Sequence, residues 1–245
     1  LAGTLTSVDA VINLAGKTIF KRWTQRYKQQ IYDSRILTTR RLVEALPIGR
    51  EIAMCSASAV GYYGNCGDTI ITEATPAGND FLARVGQDWE SEAWRAENRG
   101  VRVVAARFGI VLGRGGGAIQ KMLAAFKSYV GGPLGDGSQW FPWIHMADLL
   151  AAIDFVLENK AIAGPVNFCA PNPVKNIELA QTLGRILKKP ASLPTPGFIL
   201  RLTMGEFGNT LLASQRVIPE KLMAHGYQFK FESLENAIAD IVAAD

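Results

Sequence analysis

Residues 55–64 read CSASAVGYYG, which sets two serines, Ser56 and Ser58, and two adjacent tyrosines, Tyr62 and Tyr63, among small residues and glycines. Hydroxyls spaced this way serve one of two ends. They offer donors and a phenolic acid to a ligand at the end of a strand, or they tie local backbone in a tight turn. Arg107 raises a sharper demand. It falls near the end of VRVVAARFGIVLG, a stretch apolar enough for complete burial, so its guanidinium requires a carboxylate, phosphate or carbonyl partner. Arg35 interrupts the apolar stripe Tyr27, Ile31, Thr38, Leu42, Leu46 of a long helix; it either grips a ligand with its fork of donors, bonds a helix end or snorkels to solvent. His145 is of the one residue type that ordinarily titrates near neutrality, yet its place just ahead of a helix, with Asp148 in the first turn, suits a structural role. Trp140, Phe141 and Trp143 are dense enough to line a cleft or to pack a core.

Two glycine-rich patterns carry no such chemistry. GRGGGAIQK lacks the GK[ST] ending of a phosphate-binding loop, and GDG at 135–137 lacks the spaced carboxylates of a calcium loop. Cys55, Cys66 and Cys169 form no CxxC pair and lie far from His145 and His225, so neither a metal site nor a disulfide framework is expected.

The elements that must position these groups alternate. AVINLAG, EIAMCSAS and VRVVAARFGIVLG read as buried parallel strands. Between them run a helix starting near Thr24, a plausible N-cap, and a second helix through DFLARVGQDWESEAWRAENRG, closed by Gly100. That rhythm is the one of an α/β doubly wound parallel sheet, whose ligands sit outside the carboxyl ends of the strands. A glycine-rich turn with a helix, an aromatic loop PLGDGSQWFPWIH, the helix MADLLAAIDFVLENK and a strand GPVNFCA follow. The expected division is a sheet domain over 1–169, with a substrate-cleft insertion around 113–145, and a smaller, mainly helical lobe over 170–245.

The chain has 245 residues, 48% of them apolar, with a net charge of +4, a balance that supports a sizeable core. Its cations are scattered in pairs, so no nucleic-acid partner is expected. No apolar run approaches the roughly 18 residues of a membrane span, and no signal peptide is expected from these residues. A cytoplasmic protein, or an organellar one after loss of a transit segment, is expected, with no membrane partner and a homodimer left open.

Taken in order, VINLAG, SASAVGYYG, RFGIVLGRGGGAIQKM, FPWIHMADL and VIPEKLMAHGYQFKF span nearly the whole chain. Together they resemble the atypical and extended short-chain dehydrogenase/reductases, and more narrowly the epimerase-like NAD-dependent epimerase/dehydratase family. The resemblance implies a Rossmann-type sheet that binds NADP, or else NAD, and hydride transfer on a small carbonyl or sugar-like substrate. It also implies a glycine-rich strand and turn upstream of these residues, so the chain is expected to be part of a longer protein.

Site roles follow from the same resemblance. Asn13, Leu14, Ala15 and Gly16 match the segment beside the adenosine and phosphates; Arg35 stands where the family's helix carries an asparagine. Ser58 matches the catalytic Ser/Thr, Arg107 leads to Ile110 and Val111 at the nicotinamide end, and Trp140, Trp143 and His145 fall on the substrate side. One departure is central. With Glu90 aligned to the family's acidic residue, Leu82 and Gly86 occupy the tyrosine and lysine places of the YxxxK pair. Tyr62 and Tyr63 are then the nearest replacement acids, and the alternative is a catalytically decayed NADP(H)-binding sensor or scaffold.

Overall fold

The computed structural model describes residues 2–243. Six strands position the site: β1 (Ala10–Asn13), β2 (Ala53–Ala59), β3 (Arg102–Phe108), β4 (Ile110–Leu112), β5 (Trp143–His145) and β6 (Gly164–Phe168). The first three and β6 form one parallel sheet in the order β1-β2-β3-β6. Its register places Asn13 opposite Ser56, Ser58 opposite Arg107, and Arg107 opposite Asn167. A row of polar side chains therefore crosses neighbouring strands in an otherwise apolar sheet.

Helices cover both faces. On one lie α1 (Gln25–Ala45) and α2 (Phe81–Trp94), where Val43 and Ala93 pack with Met54 and Val103. Thr24 caps α1 by accepting the Tyr27 N–H, and Asp80 caps α2 by accepting that of Ala83. A left-handed Gly100 closes the short 3₁₀ extension of α2. After α3 (Gly117–Lys127), the other face is covered by α4 (Met146–Glu158), whose Leu149, Ala152 and Ile153 meet Cys55, Val104 and Val166. Helices α5 (Asn176–Leu187), α6 (Gly197–Met204), α7 (Glu206–Leu211) and α8 (Leu234–Val242) follow.

Three expectations change. The buried stripe of α1 is Ile31, Ile36, Thr39, Val43 and Leu46, so Thr38 points outward and Thr39 inward. The stretch VRVVAARFGIVLG is two strands, because the chain leaves the main sheet at Gly109. There the N–H bonds Phe168 O at 2.9 Å and a Cβ would stand 3.0 Å from Pro142 O, so β4 pairs with β5 instead. The aromatic loop is ordered as short strands, Trp140–Phe141 pairing with Val174–Lys175 and β5 pairing with β4. Segments after residue 170 are stitched into the sheet side: Arg216–Val217 pairs with Ile70–Ile71, and the Asp148 carboxylate accepts the N–H groups of Lys230 and Phe231.

Candidate functional site

At the carboxyl ends of β2, β3 and β6 the polar row is a closed network. The Glu90 carboxylate, delivered from the buried face of α2, accepts from Ser58 Oγ at 2.7 Å and from Arg107 Nε and Nη2, both at 2.8 Å. Arg107 Nη1 donates to Tyr63 Oη at 2.9 Å and to Glu73 O at 3.3 Å. Tyr63 Oη in turn donates to Asn167 Oδ1 at 2.7 Å, and Asn167 Nδ2 donates to Ile218 O. None of Ser58, Glu90, Arg107, Tyr63 and Asn167 is more than 4% exposed. Burial works against the Arg107 charge, but the bonds and charge of Glu90 outweigh it and hold the guanidinium's pKa above its ordinary value. Burial likewise pushes the Tyr63 phenol up, against the opposing pull of Arg107. That phenol stays protonated and serves as a structural donor.

This network commits three of the candidate residues inward. Arg107 is a cross-strand clamp whose fork is taken by a carboxylate, a phenol and a carbonyl. The Ser58 hydroxyl spends its proton inward on Glu90. Tyr63 is enclosed and its hydroxyl is spent on Asn167.

Tyr62 differs. It is half-buried, its ring lies under the Arg107 guanidinium at 3.6 Å and edge-on to Tyr63, and its hydroxyl has no hydrogen bond among the described residues. The turn that carries it, Val60–Tyr63, packs directly on α2. A Cβ at Gly86 would stand 3.3 Å from Tyr62 Cα and Cβ, and one at Gly61 would stand 3.3 Å from Leu82 Cβ. The two places where the resemblance expects a tyrosine and a lysine are thus the seat of this turn.

The end of β1 is open. Asn13 is buried and its amide is consumed, Nδ2 by Thr39 Oγ1 and Ser56 Oγ and Oδ1 by the Ala15 N–H, so its side chain holds the strand end. Leu14 is 60% exposed, Ala15 half-buried and Gly16 exposed. Arg35 lies across Gly16, where a Cβ would come 3.1 Å from Arg35 Cζ. Its Nη1 donates to Lys17 O and Ile31 O, and its guanidinium sits 5.0 Å from the Trp89 ring. Nε and Nη2 have no hydrogen bond among the described residues. Burial lowers the pKa of this arginine from its usual value.

The remaining candidates are scattered. Trp143 is fully enclosed in the α3/α5/α8 core, and its indole N–H meets Asn172 O, so it lines no cleft. His145 caps α4, Nδ1 accepting the Ala147 N–H at 3.1 Å, and is 6% exposed. Trp140 is half-buried, with its N–H on Asp68 and the cations of Lys175 and Arg216 against its ring. Ile110 and Val111 are half-buried in the β4/β5 pair. Sequence reasoning missed Glu73 and Asn167, and used Glu90 only as an alignment mark. The signal for Glu90 was present: Ala83, Gly86, Glu90 and Ala93 share one helical face, the face that packs on the strand carrying Arg107.

The donor set at the end of β1 fits a phosphorylated nucleotide: backbone free of side chains at Gly16, with two uncommitted guanidinium nitrogens beside it. A parallel sheet with helices on both faces and this open strand end defines a Rossmann-type α/β protein. The chain belongs to the NAD dependent epimerase/dehydratase family, whose sequence model matches residues 2–168, while residues 195–241 match a domain of unknown function (DUF1731). It is 40% identical over 237 residues to the chloroplastic epimerase family protein SDR39U1 homolog of Arabidopsis thaliana, covering 95% of this chain and 68% of that one. An epimerase family protein of Staphylococcus aureus is 40% identical over 241 residues, 96% of this chain and 80% of that one. The crystal structure of human epimerase family protein SDR39U1 (isoform 2) with NADPH superposes with a TM-score of 0.90 at 35% identity, covering 97% of this chain and 82% of that one.

Proposed function

We propose that the protein is an NADP(H)-binding oxidoreductase or epimerase of the cytoplasm that works on a small carbonyl or sugar-like substrate without a tyrosine–lysine pair. The observation that carries this reading is Arg35 laid across Gly16 at the open end of β1, with Nε and Nη2 free to bond a ribose or phosphate. Leu14, Ala15 and Gly16 would let the cofactor lie close to backbone. When bound, the nicotinamide supplies a hydride donor or acceptor. The chain's own contribution is narrow: Tyr62 is the phenol left with an unspent hydroxyl, and it can donate a hydrogen bond to a substrate oxygen. The Glu90–Arg107 network keeps the turn bearing Tyr62 in place. NADPH titration followed by turnover assays over carbonyl compounds and nucleotide sugars tests the reading. Tight NADPH binding with no turnover on any of them removes the catalytic part.

A second reading is favoured by the inward commitment of Ser58 and Tyr63. A cofactor-binding sensor or scaffold needs the strand end and Arg35 but no acid. Its signature is an NADPH-dependent change in conformation or partner binding that persists in Tyr62→Phe.

A further inference from the structure

Helix α6 reads GFILRLTM, and of its side chains only Leu200 is buried. Phe198 and Leu202, one turn apart on one face, are 67% and 74% exposed. A helix this apolar is ordinarily covered. The chain leading into it also carries exposed apolar side chains. Residues 189–195 run beside 129–135: Leu134 bridges Thr195, Thr195 N–H donates to Pro133 O at 2.9 Å, and Gly132 sits against Leu193 O too closely to admit a Cβ. Gly135 and Gly197 both meet the Leu212 side chain, which joins this ribbon to the start of α6. Tyr129, Val130 and Leu193, all more than half exposed, project from the ribbon. Tyr129 holds a left-handed backbone (φ 63°) at the stop of α3, a place that favours glycine, and its ring is met by the Lys189 ammonium at 3.7 Å.

The charge of this rim is predominantly basic, with Asp136 and Glu206 at its ends and Glu206 paired with Lys28. No Asp or Glu occurs from residue 98 to 135 or from 179 to 205. Lys188, Lys189 and Arg201 meet no carboxylate among the described residues; Arg201 bonds Asn209 and Lys189 lies on Tyr129. A second copy of the chain docking through this same face would set these cations against like charge, and a nucleic-acid backbone offers nothing to Phe198 and Leu202.

We propose that α6 and the 129–135/189–195 ribbon form a docking surface for an anionic lipid bilayer, the chain lying on the membrane without crossing it. Phe198, Leu202, Leu193 and Tyr129 enter the boundary between headgroups and acyl chains, and Lys188, Lys189 and Arg201 meet anionic headgroups. The expectation of no membrane partner came from the lack of a spanning run. No described helix is long and apolar enough to cross a bilayer, but a short apolar helix in a basic rim binds by another mode. The surface stands apart from the cofactor reading and survives its failure.

Co-sedimentation with sucrose-loaded vesicles decides it. The protein should pellet with phosphatidylcholine vesicles containing phosphatidylglycerol, and about tenfold less with phosphatidylcholine alone or in about 0.5 M salt. Leu202→Glu should lose vesicle binding while keeping the circular dichroism spectrum and melting transition. If that variant fails to fold, Lys188→Glu/Lys189→Glu puts the same question at exposed or half-exposed positions, and should also abolish the salt-sensitive binding. No pelleting with anionic vesicles overturns the proposal, as does binding that ignores all these substitutions. A concentration-dependent dimer in light scattering that Leu202→Glu splits, without vesicle binding, assigns the surface to a second copy instead and equally overturns it.

Discussion

Glu90 holds Arg107 through two parallel bonds, Oε1 to Nε and Oε2 to Nη2, each 2.8 Å, with both side chains enclosed between α2 and the sheet. A buried ion pair stabilises little relative to an apolar pair, but removing one partner strands the other charge. Glu90→Gln should therefore cost about 3–5 kcal/mol, because a neutral amide returns neither the charge nor the two-oxygen fork. Urea denaturation measures it. A loss below about 1 kcal/mol would mean that water reaches Arg107.

The two tyrosines of the turn should separate cleanly. Tyr63→Phe leaves Asn167 Oδ1 without its donor and Arg107 Nη1 without its phenol, and should lower stability by about 1–3 kcal/mol. Tyr62→Phe removes a hydroxyl with no hydrogen bond among the described residues and should leave the urea midpoint nearly unchanged. If Tyr62 serves the reaction, its variant alone loses turnover, by about tenfold to a thousandfold. Equal losses of stability in both would show that Tyr62 is as enclosed as Tyr63.

Gly86 tests whether the missing lysine can be restored. A side chain there gains up to about 1 kcal/mol of helix propensity. It also drives a Cβ to 3.3 Å from Tyr62, which is held under Arg107 and cannot retreat freely. Overpacking of this kind costs about 1–3 kcal/mol. Gly86→Lys should thus be destabilised in thermal melts and gain no dehydrogenase activity, since Leu82 supplies no phenol to pair with.

His145 links stability to pH. Burial lowers its pKa from the usual 6.5, against the opposing pull of Asp240 and Asp148, while Lys230 and Arg114 add to the lowering. The unfolded chain therefore takes up the proton more readily than the folded one. Its contribution is complete above about 6.5 and is lost as pH falls through the lowered folded value. Protonation also ends acceptance of the Ala147 N–H, a cap worth about 1 kcal/mol. His145→Asn keeps an accepting cap and does not titrate, so the fall in urea stability between pH 7.5 and 5.5 should be smaller in the variant. An unchanged fall would place the pH dependence elsewhere.

The sheet was legible because its strands are short, continuous apolar runs separated by capped helices, and Thr24 and Gly100 stand where those rules put them. What periodicity could not resolve was one residue of helical phase in α1, which exchanged Thr38 for Thr39, and the departure of the chain at Gly109, which depends on the approach of Pro142 from a distant loop. The candidate site was legible as a place more than as a set of roles. Arg107 announced that it needed a partner, but the choice between a cofactor phosphate and a carboxylate depends on which helix faces β3. That long-range fact is also what turned Ser58 and Tyr63 inward.

Arg35 carries the cofactor reading and can be tested alone. Its Nη1 bonds to Lys17 O and Ile31 O hold the loop after β1, while Nε and Nη2 have no hydrogen bond among the described residues. Arg35→Lys keeps a charge but replaces a planar fork by a point donor, and should weaken NADPH binding by about tenfold. Arg35→Met removes both and should weaken it by about a hundredfold, with a melting transition lowered only by the loss of the two carbonyl bonds. Calorimetric titration gives both constants. The contrast matters more than either value: equal weakening in the two variants would mean that Arg35 shapes the loop and leaves recognition of the nucleotide to other groups. A graded loss that tracks the number of remaining donors would mean that the guanidinium itself touches the cofactor.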